Sequence, residues 1–305
     1  MAVTGPVAVA TDGQHGVVLP GERGRRGLAI GPALAWAAKA GVPGALHVLV
    51  DADNGHDDAG AAGVAARHAT YFRDPPAVWR VVGAELEPVD PAPFPAPLEP
   101  AAADLLAVAP LREAGAEVVV EHGVVGAELD GLEVGRVVDS RLELGVGKHD
   151  RAAAAMMETI RDPGDLLVGI VGTVRRHRQS GARPHLLNRL ARERWLRSAL
   201  VAEPALVDAA ELRPVEPPIA RTDLVEPMPA VAVGRRRDGT PLVVACSVGV
   251  DLNLVPLAAD VRARDLPGGE LVLVTPVRDQ YSSTRAVAAR LLRPAELVAQ
   301  EGPWP

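Results

Sequence analysis

The chain has 305 residues, a formal net charge of −7 at pH 7 and a single cysteine, Cys246. One cysteine excludes an internal disulfide framework and a cysteine-built zinc site, and it fits a reducing compartment. The negative charge argues against a protein whose whole surface coats nucleic acid or an anionic membrane. Because the sequence shows neither a basic leader nor a long apolar run, we expect a cytoplasmic protein without a membrane anchor.

Two proline-rich stretches, residues 88–100 and 204–227, divide the chain. Proline lacks a backbone N–H and therefore disrupts helices and central strands, so both stretches are predicted to be extended connectors. Three segments result, at residues 1–87, 101–203 and 228–305.

The first and third segments resemble each other along their whole length, which indicates an internal repeat. Both open with a hairpin around an Asp-Gly pair and continue with apolar strands that alternate with helices. The best matches are Pro32 with Pro256, Val48 with Val272, and, after one gap, residues 64–67 with 287–290.

The shared order of elements is β-β-α-β-α-β, which predicts right-handed crossovers and a partly parallel sheet in each module. We therefore expect an α/β fold in which two similar modules flank a different middle segment. The modules are expected to pack sheet to sheet or side by side as a pseudo-dimer.

The middle segment predicts a strand at 117–121 and a hairpin that joins 132–138 to 141–147. Helices are predicted at 150–161, 166–178 and 186–199. The stretch 121–150 gathers most of the side chains that could carry chemistry, so an active site, if there is one, is expected here. Its candidates are Glu121, His122, Glu128, Asp130, Glu133, Glu143, Lys148, His149 and Asp150.

The strand-then-helix sequence LELGVGKHDRAAAAMM at 142–157, together with the order of elements, is similar to the PD-(D/E)XK restriction-endonuclease-like fold. In that family, carboxylates and a lysine on neighbouring strands hold a divalent metal that activates water for phosphodiester cleavage. The resemblance implies Glu133, Glu143 and Lys148 as catalytic residues, and Asp130, Glu133 and Glu143 as ligands of Mg²⁺. No cofactor is predicted otherwise, and Mg²⁺ is expected only if the protein is nuclease-like. Gly145 stands where the family has its lysine, which puts cleavage in doubt.

Glu143 also has a structural interpretation. A two-residue turn at 139–140 places Arg136 directly opposite Glu143, where opposite charges stabilise a hairpin by roughly 0.2–1 kcal/mol. The same register puts Glu133 on the apolar face of the hairpin. The carboxylates of Glu133 and Glu143 are then expected to point to opposite faces, where they cannot share one ion.

Residues 175–197 contain eight arginines and one acid, the strongest electrostatic asymmetry in the sequence. Guanidinium groups bind phosphate and carboxylate in a bidentate manner, which predicts an anion site. The alternative is a solvated helix, or arginines that pair with acids elsewhere in the chain. The predicted anion-binding residues are Arg175, Arg176, Arg178, Arg189, Arg192 and Arg197.

Three functions remain open at this point. The first is a non-catalytic or weakly catalytic nuclease-like protein that holds nucleic acid or a nucleotide through the arginine-rich segment. The second is a scaffold or interaction protein that binds an acidic protein surface. The third is a small-molecule enzyme that uses the stretch 121–150.

Overall fold

The computed structural model describes residues 8–20, 28–51, 58–147, 150–152, 156, 162–179, 181–183, 185–220 and 228–304. These residues form three β-sheets and a set of helices, which confirms the predicted mixed α/β fold with two similar modules. Among them, no helix is long and apolar enough to cross a membrane.

The N-terminal module is a five-stranded sheet with the strands in chain order. Its first pair is antiparallel, the next two pairings are parallel, and the last is antiparallel. The elements are β1 (Ala8–Thr11), β2 (Gly16–Leu19), α1 (Ile30–Ala40), β3 (Leu46–Asp51), α2 (Asp58–Ala69), β4 (Ala77–Val82) and β5 (Glu85–Pro88).

The middle segment contributes a four-stranded antiparallel sheet and several helices. One face of this sheet packs against helices and has a hydrophobic core of its own. The elements are α3 (Ala102–Ala107), α4 (Ala109–Glu113), β6 (Glu117–Glu121), β7 (Val124–Leu129), β8 (Leu132–Val138), β9 (Arg141–Leu144), α5 (Pro163–His177) and α6 (Arg192–Ala202).

The C-terminal module is again a five-stranded sheet in chain order. Its first strand falls inside the stretch predicted as a connector, because an edge strand tolerates proline, here Pro214. The elements are β10 (Ala209–Val215), β11 (Ala230–Arg236), β12 (Pro241–Cys246), α7 (Leu254–Asp265), β13 (Glu270–Pro276), α8 (Ser282–Ala288) and β14 (Glu296–Gln300).

The repeat is the unit β1 to β4, which matches β11 to β14 in pairing, direction and helix placement. The fifth strand differs between the modules. In the N-terminal sheet β5 pairs with β4, whereas in the C-terminal sheet β10 pairs with β11, at the opposite edge.

The two modules pack through their helices, with α1 against α8 and α2 against α7, around one shared core. The expected sheet-to-sheet or side-by-side packing is therefore wrong, because the helix layers lie between the sheets. Just after α2 and α8, Phe72 and Leu291 form an antiparallel bridge. Arg73 N–H donates to Arg290 O, and Leu292 N–H donates to Tyr71 O, both at 2.9 Å, which is the reciprocal pattern of a pseudo-twofold axis.

The structural register of the repeat is one residue away from the sequence match. Val48 faces the helices and lies in the shared core, as does Leu273, whereas Val272 belongs to the core on the other face of the C-terminal sheet. Because side chains alternate between the two faces of a strand, Val48 corresponds to Leu273 and not to Val272.

A buried polar cluster joins the two helix layers. Asp260 of α7 is fully buried and accepts hydrogen bonds from Arg67 Nε at 2.9 Å, Arg67 Nη2 at 3.0 Å and the Tyr71 hydroxyl at 2.6 Å. Burial alone raises the pKa of a carboxyl group. The contacts from His68, Arg67 and Tyr71 outweigh burial and hold the pKa of Asp260 well below its usual range.

We predict that Asp260→Asn lowers the free energy of unfolding by about 3–5 kcal/mol, because it leaves the buried Arg67 guanidinium without a counter-charge. Because the pKa of Asp260 is lowered in the folded state, its contribution to the free energy of unfolding is fully present above the unfolded-state pKa of about 3.9. That contribution is lost as the pH falls below this value. Urea denaturation between pH 7 and pH 3 should therefore show a smaller acid-induced loss in the variant. Asp74→Asn, at an exposed site, is the control, and equal stability of the two variants would contradict the prediction.

Candidate functional site

One face of the middle sheet does not contribute to the hydrophobic core of the sheet and is lined with glutamates. We call it the acidic face, and its residues are Glu117, Glu121, Glu128, Glu133 and Glu143. Glu117 pairs with Glu128 across β6 and β7, and Glu128 pairs with Glu133 across β7 and β8. Burial raises the pKa of Glu117, an effect that Arg197 opposes and Glu128 reinforces. Such a face is stable only if cations meet it.

Helix α6 supplies those cations. Both Arg194 and Arg197 pair with Glu121 and Glu128, and Arg197 Nη2 lies 2.6 Å from Glu128 Oε2. The side chains of Arg197 and Glu128 are 1% and 2% exposed. On the other side of the helix, Leu196 packs into the core beneath the C-terminal sheet. Helix α6 thus lies between the middle sheet, which its arginines contact, and the C-terminal sheet, which its apolar side chains contact.

A tight turn brings the acidic face up to α6. Gly131, between β7 and β8, has φ +72°, and a Cβ atom there would lie 2.2 Å from the backbone of Arg194. Only glycine combines this conformation with this approach.

Arg178, at the end of α5, anchors the chain that leads into α6. Its guanidinium donates to the carbonyl oxygens of Asp130, Leu187 and Leu190, and it stacks on the Trp195 ring. Burial lowers the pKa of Arg178 to about 10, so it remains charged at neutral pH. This side chain closes a loop and is not available to a ligand.

The predicted anion-binding set is therefore divided by the structure. Arg178 and Arg197 lie in the interior and are removed from it. Arg192 is half-buried, with Nη2 3.5 Å from Val248 O. Arg175, Arg176 and Arg189 are exposed, and Arg183, which the predicted set omitted, is exposed beside them.

Glu133 and Glu143 lie on the same face, contrary to expectation. The strand pairing skips Val134, which makes a β-bulge, and the extra residue rotates Glu133 toward Arg136 and Glu143. Both carboxylates approach Arg151, with Nη1 2.6 Å from Glu133 Oε1 and Nε 3.6 Å from Glu143 Oε2. The predicted pairing of Arg136 opposite Glu143 is confirmed.

The cation between these two carboxylates is thus a guanidinium. Asp130 does not join them, since it lies in the β7–β8 turn, where burial raises its pKa. Across the parts of the chain that the structure describes, no group of three histidine, cysteine or acidic side chains is arranged to hold a metal ion. Lys148 and His149 lie outside the described residues, so the catalytic role predicted for Lys148 stays a prediction.

A basic surface remains, defined by Arg175, Arg176, Arg183, Arg189, His177 and His185. The rings of His177 and His185 stack with their centroids 3.8 Å apart and an interplanar angle of 14°. Desolvation, His185 and Arg176 lower the pKa of His177. The ion pairs found among the described residues include none to the three exposed arginines Arg176, Arg183 and Arg189.

A second polar cluster lies at the carboxyl ends of β12 and β13. Ser247 Oγ lies 3.3 Å from Asp251 Oδ2, and Gly249 N–H donates to Asp279 Oδ2 at 2.7 Å. Both carboxylates are buried; Asp251 bonds within its own loop, whereas Asp279 accepts from the neighbouring one. The cluster therefore ties two loops together.

No protein-family model, curated protein or solved structure matches this chain. The resemblance to the restriction-endonuclease-like fold accordingly stays a prediction.

We predict that Glu128→Gln lowers the free energy of unfolding by about 3–5 kcal/mol, because two buried guanidinium groups lose a shared counter-charge. Glu143→Gln is the matched control on the same face. Its side chain is 46% exposed, so the loss should stay within about 1 kcal/mol. Guanidinium chloride denaturation measures both changes, and comparable losses in the two variants would show that the Glu128 pairs do not hold the layers together.

Proposed function

We propose that this protein binds nucleic acid through the basic surface without cleaving it. The observation that carries the proposal is the sorting of the arginine-rich segment. Its buried members Arg194 and Arg197 are neutralised by glutamates, whereas four arginines remain exposed: two at the end of α5, one in the 3₁₀ turn at Leu186–Arg189, and Arg183 in the loop between them. Exposed guanidinium groups suit phosphate oxygens.

The basic surface is held in shape before any ligand arrives. Arg178 fixes the carbonyl groups of Leu187 and Leu190, and the stacked rings of His177 and His185 join the two ends of the loop. Preorganisation lowers the entropy cost of binding. The net charge of −7 confines attraction to this surface, which favours a short footprint and modest affinity.

The carboxylates support binding over cleavage. Glu133 is engaged by Arg136 and Arg151, which leaves it poorly placed to hold a metal ion. An enzyme active site in the stretch 121–150 has little support, because Glu121 and Glu128 are counter-charges for the arginines of α6. An acidic protein is the competing partner for the same arginines.

The proposal is tested by fluorescence anisotropy with labelled single- and double-stranded DNA and RNA across a range of salt concentrations. Each phosphate contact should add about −0.7 to −0.9 to the slope of log K against log salt. We expect the double variant Arg176→Glu/Arg183→Glu to weaken binding at least about tenfold and to flatten the slope, since two contacts become repulsive. Arg213→Glu/Arg237→Glu makes the same charge change at exposed sites on the C-terminal module.

If both double variants lost the same affinity for nucleic acid, net charge alone would explain the effect, and binding at the basic surface would be contradicted. Absence of nucleic-acid binding at low salt would overturn the proposal. Poly-glutamate serves as the competing probe, and preferential binding of it would assign the basic surface to an acidic protein partner.

A further inference from the structure

The outer face of the C-terminal sheet, on the side away from α7 and α8, is covered by a helix-and-strand unit. Helix α6 lies over β10, β11 and β12, with Trp195, Leu196 and Leu200 in the core beneath it. The strand β10, which follows α6 in the chain, pairs with β11 and closes that edge of the sheet. Residues 192–215 thus cover a face and an edge together.

On the corresponding face of the N-terminal sheet, the described residues form no hydrophobic core cluster, and we call it the open face. Strand pairing and the register set at Val48 and Leu273 relate Val17 to Val244 and Leu49 to Val274. The bridge of Phe72 with Leu291 relates Trp79 to Val298 in the same way.

Two of these pairs of equivalent positions differ in burial. Val244 and Val274 are fully buried in the core under α6, whereas Val17 and Leu49 are only half-buried. Val298 and Trp79 are both half-buried, but Val298 packs against the core under α6, and Val17, Leu49 and Trp79 lie in none of the core clusters formed by described residues. The edge differs as well: among the described strands β1 pairs with β2 only, whereas β11 lies between β10 and β12.

We propose that the open face of the N-terminal sheet, with the β1 edge, binds a helix-and-strand segment of a partner protein, in the way that residues 192–215 cover the C-terminal sheet. The partner is specified by the unit that already occupies the equivalent place. It is an amphipathic helix with a tryptophan and leucine stripe, followed by a strand that extends the sheet by β-augmentation.

The chemistry of the open face fits the apolar stripe of such a helix. Along its strands the open face presents the apolar side chains of Val17, Leu49 and Trp79, as the C-terminal sheet presents apolar side chains to Trp195, Leu196 and Leu200.

Trp79 is the anchor of the open face. Its indole Nε1–H donates to His47 Nδ1 at 3.0 Å, which holds the ring in one orientation on the sheet. Preordered tryptophans at the centre of an apolar patch commonly carry much of an interface's binding energy. An apolar sheet face beside an unpaired edge strand is also the arrangement that soluble proteins otherwise cover.

The probe is a fluorescein-labelled synthetic peptide of residues 190–215, titrated with the full-length protein. We expect saturable binding that Trp79→Ser weakens at least about tenfold, in line with loss of an aromatic anchor. A peptide with Trp195→Ser and Leu196→Ser should not bind. Leu106→Ser, at a leucine of α3 that is 76% exposed, is the matched control and should bind like the wild type.

Circular dichroism and thermal melting confirm that each variant is folded, and Val17→Glu provides a second variant on the open face. No binding of the wild-type peptide, or binding that neither Trp79→Ser nor Val17→Glu alters, would overturn the proposal. Sedimentation of the protein alone tests the other occupant: a dimer that Trp79→Ser dissociates would assign the face to a second copy and overturn it too. The variant Arg176→Glu/Arg183→Glu should bind the peptide normally, which separates this proposal from the nucleic-acid proposal.

Discussion

The burial of two arginines on α6 is the constraint on which the arrangement of the layers depends. A guanidinium group is stable in the interior only beside carboxylates, so Arg194 and Arg197 require a surface that presents several acids at once. An antiparallel sheet provides one, because residues opposite each other across its strands share a face. Glu121 and Glu128 meet this requirement, and the middle sheet is thereby fixed against the helix that covers the C-terminal module.

The two modules share a plan, but their polar chemistry is not symmetric. The bridge at Phe72 and Leu291 preserves the pseudo-twofold axis, whereas the buried Asp260–Arg67 pair occurs on one side of it. The register set at Val48 and Leu273 relates Asp260 to Ala35, and the bridge of Phe72 with Leu291 relates Arg67 to Ala286; neither alanine needs a counter-charge. The Asp260–Arg67 pair therefore fixes the two helix layers against each other at one point, whereas the outer faces of the two sheets differ, since α6 covers that of the C-terminal sheet.

The sequence was informative where structure is local. The hairpin register of Arg136 and Glu143 follows from a two-residue turn at Asp139 and Ser140, both with positive φ, and the apolar strands predicted the order of each module. Burial of individual arginines depends on glutamates far away in the chain, and no local pattern reports it. The bulge at Val134 is a single-residue irregularity that reverses the face of Glu133, so an alternation pattern could not reveal it.

The number of arginines in the sequence of the arginine-rich segment therefore overstates the positive charge that is exposed to solvent. Within this segment, the buried arginines bind carboxylates or backbone carbonyl groups inside the protein. The four exposed arginines are those of the basic surface. The basic surface joins the C-terminal module through the stacking of Arg178 on Trp195. The open face belongs to the N-terminal sheet, beyond the shared helix core. Because the two surfaces share no residue, we expect ligands bound at both to contribute independently to the binding free energy.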